Sequence, residues 1–466
     1  MRSLKLALAV ALGLGGMTRT VAQPAGTPLS PAASAEQWLG LVDQGRDAES
    51  WDQGSASLKS RVDRARFAGA IEAARKPLGA VVSRKLMSES ARRPPPGMAD
   101  GFYEMLEFDT DFAGSRGVTE TVIMMHESSG WKVNGYGVQK ADPLYHAYEE
   151  PGILANIPGG PTIHVKCMGT GAPTVVLTAG SGDWSAGWHT IQPEIAKTTR
   201  VCAWDRPGFG FSSGSTQPQT VLNTTADLEV ALRIAHVEGP YIAVGHSLGS
   251  YESLLLKDRN PKAVVGMVLV DPSIPDQTRR FREAAPEVGK FYEAIMAGED
   301  ERLGRCIGEA RSGALKPGGQ DPDGCLFSPS FYPSELRRGL ATRNTDPLRP
   351  TAVKSWNENI IQDGSLVVNS ARNYGDMPLI VLTATKDLGL PGMPQSAKDE
   401  LPAERAAWVR GHDELAALSS RGVNRLVPDS THYIQYDQPK VVIEAIEEVI
   451  RAVRPKVGAG TAAARH

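Results

Sequence analysis

The chain has 466 residues, a formal net charge of −3, 41% hydrophobic residues and 22% charged residues. That length exceeds one ordinary core, so two domains are expected, and the balanced composition excludes a fibrous or disordered chain. A small negative net charge excludes the electrostatic footprint of a nucleic-acid or anionic-membrane binder.

The N-terminus is basic (Met1-Arg2-Ser3-Leu4-Lys5), then apolar over residues 6–17, then small at Thr20-Val21-Ala22. This is the pattern of a secretory signal peptide, residues 1–22, too short to span a bilayer. An exported protein, periplasmic or secreted, with no transmembrane segment is expected. Its four cysteines, Cys167, Cys202, Cys306 and Cys325, are an even set that suits disulfides in an oxidising compartment, and four cysteines allow three connectivities.

Residues 23–34 are a Pro/Ala/Ser linker. Helical spacing predicts helices over 35–44 and 58–74, and a period of two then predicts strands over 81–86, 101–108, 118–125 and 131–136. Helices followed by an antiparallel meander make residues 35–140 a small α+β domain, without a catalytic constellation. After a second linker, 141–150, short apolar runs at 174–178, 200–203, 241–244, 264–270, 379–383 and 424–427 alternate with helical stretches. A hairpin over 153–157 and 162–167 precedes them. Apolar runs separated by helices predict a mostly parallel sheet buried on both faces. Residues 456–466 form a Gly/Ala-rich tail, expected to be disordered.

The chemistry centres on Gly245-His246-Ser247-Leu248-Gly249, which lies between a strand and a helix. In that context the serine is forced into a strained turn that lifts its hydroxyl beyond the sheet, and the glycines permit a close strand–helix crossing. The Leu248 backbone N–H then points where an oxyanion would form. Ala179-Gly180-Ser181-Gly182 follows the strand 174–178. Further on come Cys202-Ala203-Trp204-Asp205-Arg206-Pro207-Gly208-Phe209-Gly210, Met377-Pro378-Leu379 leading to Asp387, and Val427-Pro428-Asp429-Ser430-Thr431-His432.

These five motifs, in this order, resemble the serine α/β-hydrolase fold superfamily, esterase- or lipase-like and capped, over residues 151–455. The resemblance implies an eight-stranded, mostly parallel sheet with a helical cap at about 273–372. Residues 35–140, through Trp38 and Gly130-Trp131-Lys132-Val133, resemble a cystatin-like exported bacterial domain family of unknown function. A triad of Ser247 as nucleophile, His432 as base and Asp387 as orienting acid is implied, with Asp271, at the end of the strand 264–270, as the alternative acid. His412 lies in a polar helix start and is expected to face solvent; His466 ends the tail. The oxyanion donors are the backbone N–H groups of Leu248 and Ser181. Ala179-Gly180 replaces the His-Gly pair of many relatives, which removes a side chain that commonly braces the loop. Asp205 and Arg206 read as a carboxylate and guanidinium bracing a Gly-rich turn near the site.

The glycine runs 180–182 and 208–210 lack a dinucleotide fingerprint, so neither cofactor nor metal is implied. The function expected is hydrolysis of a small ester-type substrate through an acyl-enzyme. The alternatives are an aminopeptidase, amidase or lactonase of the same fold, or a non-catalytic binding protein whose N-terminal domain holds a partner. The superfamily's strand order places the end of its second strand beside the start of its fourth. That implies pairing Cys167 with Cys202 and Cys306 with Cys325.

Overall fold

The period-two alternation that begins at Val81 becomes a four-stranded antiparallel meander, β1 (Val81–Arg92), β2 (Tyr103–Phe112), β3 (Ser115–Glu127) and β4 (Gly130–Lys140). The computed structural model describes residues 29–92, 101–386 and 392–454. The expected signal peptide and C-terminal tail therefore lie outside the described residues. Leu106 and Phe108 of β2 and Val122 and Met124 of β3 point to one side of the sheet. There they bury Trp38 and Leu39 of helix Pro31–Asp43 and Phe67 and Ile71 of helix Arg64–Arg75. The single helix expected over 58–74 is two, Ala56–Arg61 and Arg64–Arg75. Asp63 stops the first by capping the second, its carboxylate accepting the Arg66 N–H at 2.9 Å.

The opposite side of this sheet carries Glu107, Asp109 and Thr119. Such alternation ordinarily marks a face in water, yet here it is covered. The chain divides into two units, and residues 301–350 belong with residues 29–150 rather than with the rest of the expected cap. Helix Ser334–Arg343 supplies the cover. Arg337 pairs with Glu107 and donates to Thr119 Oγ1 at 2.9 Å, and Arg338 donates to Asp109 at 2.5 Å. Arg337 and Glu107 are 5% and 3% exposed. Within this segment a disulfide joins Cys306 to Cys325, S–S 2.00 Å. Breaking a buried pair from one side strands the other charge, so Arg337→Ala should destabilise this unit by about 3–5 kcal/mol, read from a urea unfolding midpoint. The double change Glu107→Leu/Arg337→Leu should recover much of that loss. A single-mutant midpoint equal to wild type would mean that the segment contributes little to the unit.

The second unit holds residues 151–300 and 351–454. Its eight strands are β5 (Ile153–Asn156), β6 (Thr162–Met168), β7 (Thr174–Thr178), β8 (Val201–Trp204), β9 (Tyr241–His246), β10 (Val264–Val270), β11 (Leu379–Ala384) and β12 (Gly422–Val427). The sheet order is β12-β11-β10-β9-β7-β8-β6-β5, parallel from β12 to β8, with β6 antiparallel to both β8 and β5. Alternate residues of the central strands feed two cores. Val176, Ala243, Met267 and Val381 pack with Leu228 and Leu232 of helix Val221–Ile234. Val175, Val244, Val268 and Leu382 pack with Val442, Ile446 and Val449 of helix Pro439–Val453. At 1.5–3 kcal/mol for each large apolar side chain buried, two such layers fix the register of every central strand. Cys167 of β6 lies opposite Cys202 of β8, and the two are joined by a disulfide, S–S 2.03 Å. Among the described residues no helix is long and apolar enough to cross a membrane.

Candidate active site

β9 ends at His246 and helix Gly249–Arg259 begins three residues later, so the chain must turn sharply at Ser247. It does so with φ of +50° at the serine, a region costly for any residue with a side chain. The surroundings hold it there. The Ser247 N–H donates to the Val270 carbonyl at 3.1 Å, and the Ser247 carbonyl accepts N–H bonds from Ser250 and Ser273 at 3.0 Å each. The Ser250 hydroxyl adds a bond to the same carbonyl at 2.7 Å, a brace that the sequence did not announce. A Cβ on Gly245 would lie 2.5 Å from the Gly249 carbonyl oxygen, and one on Gly249 would lie 2.5 Å from that of Thr178. Both glycines are needed for the crossing.

His432 sits beyond the end of β12, and its Nδ1 lies 2.6 Å from Asp271 Oδ2. Asp271 is the first residue after β10, with φ of +39°. Its other oxygen accepts the Ala384 N–H at 2.9 Å and the Trp408 Nε1–H at 3.1 Å. Burial pushes this carboxyl up, but the bonds from His432 and Trp408 outweigh it and hold it below the usual carboxylate range. The carboxylate on His432 is thus Asp271, the alternative acid of the sequence reading. Asp387, the acid favoured there, lies outside the described residues.

Two other histidines surround this pair. His246 is buried and donates from Nε2 to the His432 carbonyl at 3.0 Å, while Gln435 Nε2 donates to its Nδ1 at 3.2 Å. Burial, reinforced by the neighbouring His432, pushes it down to about 3, so it is neutral near pH 7. His412 is buried as well, not solvent-facing as its charged neighbours Arg410 and Asp413 suggested. Helix Gln395–Ala416 turns Ala407, Gly411, His412 and Leu415 inward. His412 Nε2 bonds the Pro272 carbonyl at 2.8 Å, and burial pushes the ring down to about 4.

The loop after β7 passes directly beside the elbow. A Cβ on Gly180 would lie 3.2 Å from Ser247 Cβ and 2.7 Å from His246 Nδ1. Ser181 follows, its hydroxyl accepting the Trp356 Nε1–H at 3.3 Å. Leu248 stands at the N-cap of helix Gly249–Arg259. Asp205 braces the turn after β8 as expected: it accepts N–H bonds from Ser185 at 2.7 Å and Phe211 at 2.9 Å, and lies 2.6 Å from His164 Nδ1.

Ser247, Asp271 and His432 all line one cavity of about 330 Å³. Its wall is largely apolar, with Leu248, Tyr251, Phe281, Tyr292, Met296 and Trp408. Of the insert expected as a cap, the parts before residue 300 and after residue 351 supply this wall, through Phe281, Tyr292, Met296, Ile360 and Ile361.

Residues 34–136 match a family described as a protein of unknown function (DUF4019). A Bacillus subtilis (strain 168) relative, uncharacterized protein YqjL, is 34% identical over 281 residues, 60% of this chain and 85% of its own. A putative carbamate hydrolase, RutD, of Serratia proteamaculans (strain 568) is 36% identical over 113 residues, 23% of this chain and 42% of its own. Among solved structures, a thermophilic esterase from Thermogutta terrifontis aligns over 65% of this chain and 97% of its own, with 18% identity and a TM-score of 0.40. Residues 175–445 match the family described as alpha/beta hydrolase, more than half of the sequence, and the chain belongs to the alpha/beta hydrolase family.

Proposed function

We propose that this hydrolase is exported and cleaves small carboxylic esters through an acyl-enzyme. Ser247 is the nucleophile, His432 the general base, Asp271 the carboxylate that orients it, and the Leu248 and Ser181 N–H groups the oxyanion donors. The observation that carries the reading is the 2.6 Å contact between His432 Nδ1 and Asp271 in a cavity that Ser247 also lines. With Nδ1–H held by an ionised carboxylate, the basic lone pair of the imidazole is on Nε2. Ser247 attacks the ester carbonyl as Nε2 takes its proton. The tetrahedral oxyanion is held by backbone N–H groups, and Nε2–H is returned to the leaving alkoxide. Water then repeats the sequence on the acyl-serine. The cavity volume is at the small end of ligand pockets, and its apolar wall suits an aliphatic or aryl acyl group. Two disulfides and the N-terminal signal pattern support export.

Aryl esters from acetate to palmitate, with matched amides, carbamates and lactones, test this on the mature protein. The expected result is turnover of short and medium acyl esters, little of palmitate, none of amides, and fluorophosphonate labelling at Ser247. Amide turnover without ester turnover would overturn the substrate class, and no label at Ser247 would overturn the nucleophile.

A further inference from the structure

The loop Ala179-Gly180-Ser181-Gly182 has no long side chain of its own to fix its peptide planes, so the brace has to come from elsewhere. A buried cation reaches this loop. Arg206 is 3% exposed. Its Nη2 donates to the Ala179 carbonyl at 2.9 Å and its Nη1 to the Gly180 carbonyl at 3.2 Å. The other side of the guanidinium grips Glu252, from Nε at 2.6 Å and Nη2 at 2.9 Å. Glu252 is fully buried, and its Oε1 also accepts the Thr224 hydroxyl at 3.0 Å. The Trp356 ring lies 4.5 Å from the guanidinium carbon, and that same indole donates to the Ser181 hydroxyl.

Geometry gives this arrangement a direction. The Gly180 carbonyl and the Ser181 N–H belong to one planar trans peptide, so they point to opposite sides. Drawing the carbonyl towards Arg206 aims the N–H away from it. Glu252 lies in the first turn of helix Gly249–Arg259, whose start carries the other donor, Leu248. The Arg206–Glu252 pair therefore ties the two donors, one on a loop and one on a helix, into one bonded frame. We infer that Arg206 is the positioning residue of the oxyanion hole, setting the direction of the Ser181 N–H through the Gly180 peptide while touching no substrate. This rests on the proposal that Ser247 is the nucleophile.

The experiment compares the mature wild-type protein with Arg206→Ala, Arg206→Lys and Glu252→Gln. Each rate is divided by the concentration of Ser247 titrated by a fluorophosphonate, so misfolded molecules do not count. A misaimed donor weakens the transition state more than the ground state. Arg206→Ala should thus lose about 10- to 100-fold in kcat with KM nearly unchanged. Affinity for an aryl trifluoromethyl ketone, which forms a tetrahedral oxyanion on the serine, should fall in the same proportion. Added guanidinium should restore part of both, and Arg206→Lys and Glu252→Gln should fall between. If the wild type labels at Ser247 yet Arg206→Ala and Arg206→Lys keep kcat per site and ketone affinity, this inference fails alone. A wild type that takes up no fluorophosphonate sinks the nucleophile reading, and this inference with it.

Discussion

Replacing Ser247 with alanine should lower kcat for aryl esters by roughly a thousandfold or more, and His432→Ala should do the same. The losses should not add. In the proposed mechanism nucleophile and base act in one step, so the double mutant should retain about the activity of either single mutant, the remainder being what the cavity and the backbone donors achieve with water. Neither change disturbs the elbow, because the bonds that hold Ser247 at positive φ are made by its backbone N–H and carbonyl. Thermal unfolding of Ser247→Ala should therefore stay close to wild type, while His432→Ala, which leaves the buried Asp271 carboxylate without its partner, should unfold at a lower temperature but still cooperatively. An alanine variant at either position that folds and keeps its rate would reassign that role.

The second large effect is expected at Asp271. Asparagine fits the site, but its amide would turn an N–H towards His432 Nδ1 and force the ring's proton onto Nε2. The base would then face Ser247 with no lone pair, and the rate should fall on the order of 10⁴-fold. The wild-type carboxyl is held below the usual carboxylate range, so it should take up its proton at a lower pH than an ordinary carboxylate. Its protonation should not define the acid limb of the pH–rate profile above about pH 4. Asp387→Asn should keep most of the rate. If Asp387→Asn cost more than Asp271→Asn, the orienting role would pass to Asp387.

Chain order could not separate these two acids. Both follow apolar strands, both lie between Ser247 and His432 in sequence, and both fit the order Ser, Asp, His. What distinguishes Asp271 is its set of donors, Trp408 and the Ala384 N–H, which lie more than a hundred residues away and leave no local pattern. The elbow was legible because its constraints are local: two glycines at a crossing and a serine between a strand and a helix. The parallel strands were legible for the same reason, since burial on both faces writes a continuous apolar run. His412 was not, because the inward positions just before it are small residues, Ala407 and Gly411, which carry little hydrophobic signal, and Leu415 alone does not make a stripe. The covered face of the N-terminal sheet was hidden most completely. Glu107, Asp109 and Thr119 are what a face in water looks like, and their partners stand beyond residue 330.

That separation also bears on how the chain is made. Synthesis delivers β1 to β4 early, with the acidic face of their sheet still open. The Arg337–Glu107 contact spans 230 residues, so the meander waits for most of the remaining chain before that face is covered. The sheet around Ser247 is interrupted over the same interval, because β5 to β10 precede the 301–350 segment and β11 and β12 follow it. Neither unit is complete until translation has passed residue 350. Long-range closure of this kind is slow and leaves sheet surface and strand edges uncovered meanwhile. A chain released before that point would hold one sheet with an uncovered face and one sheet lacking two strands, and the period in which it needs protection from aggregation is set by the position of one inserted segment rather than by the size of either unit.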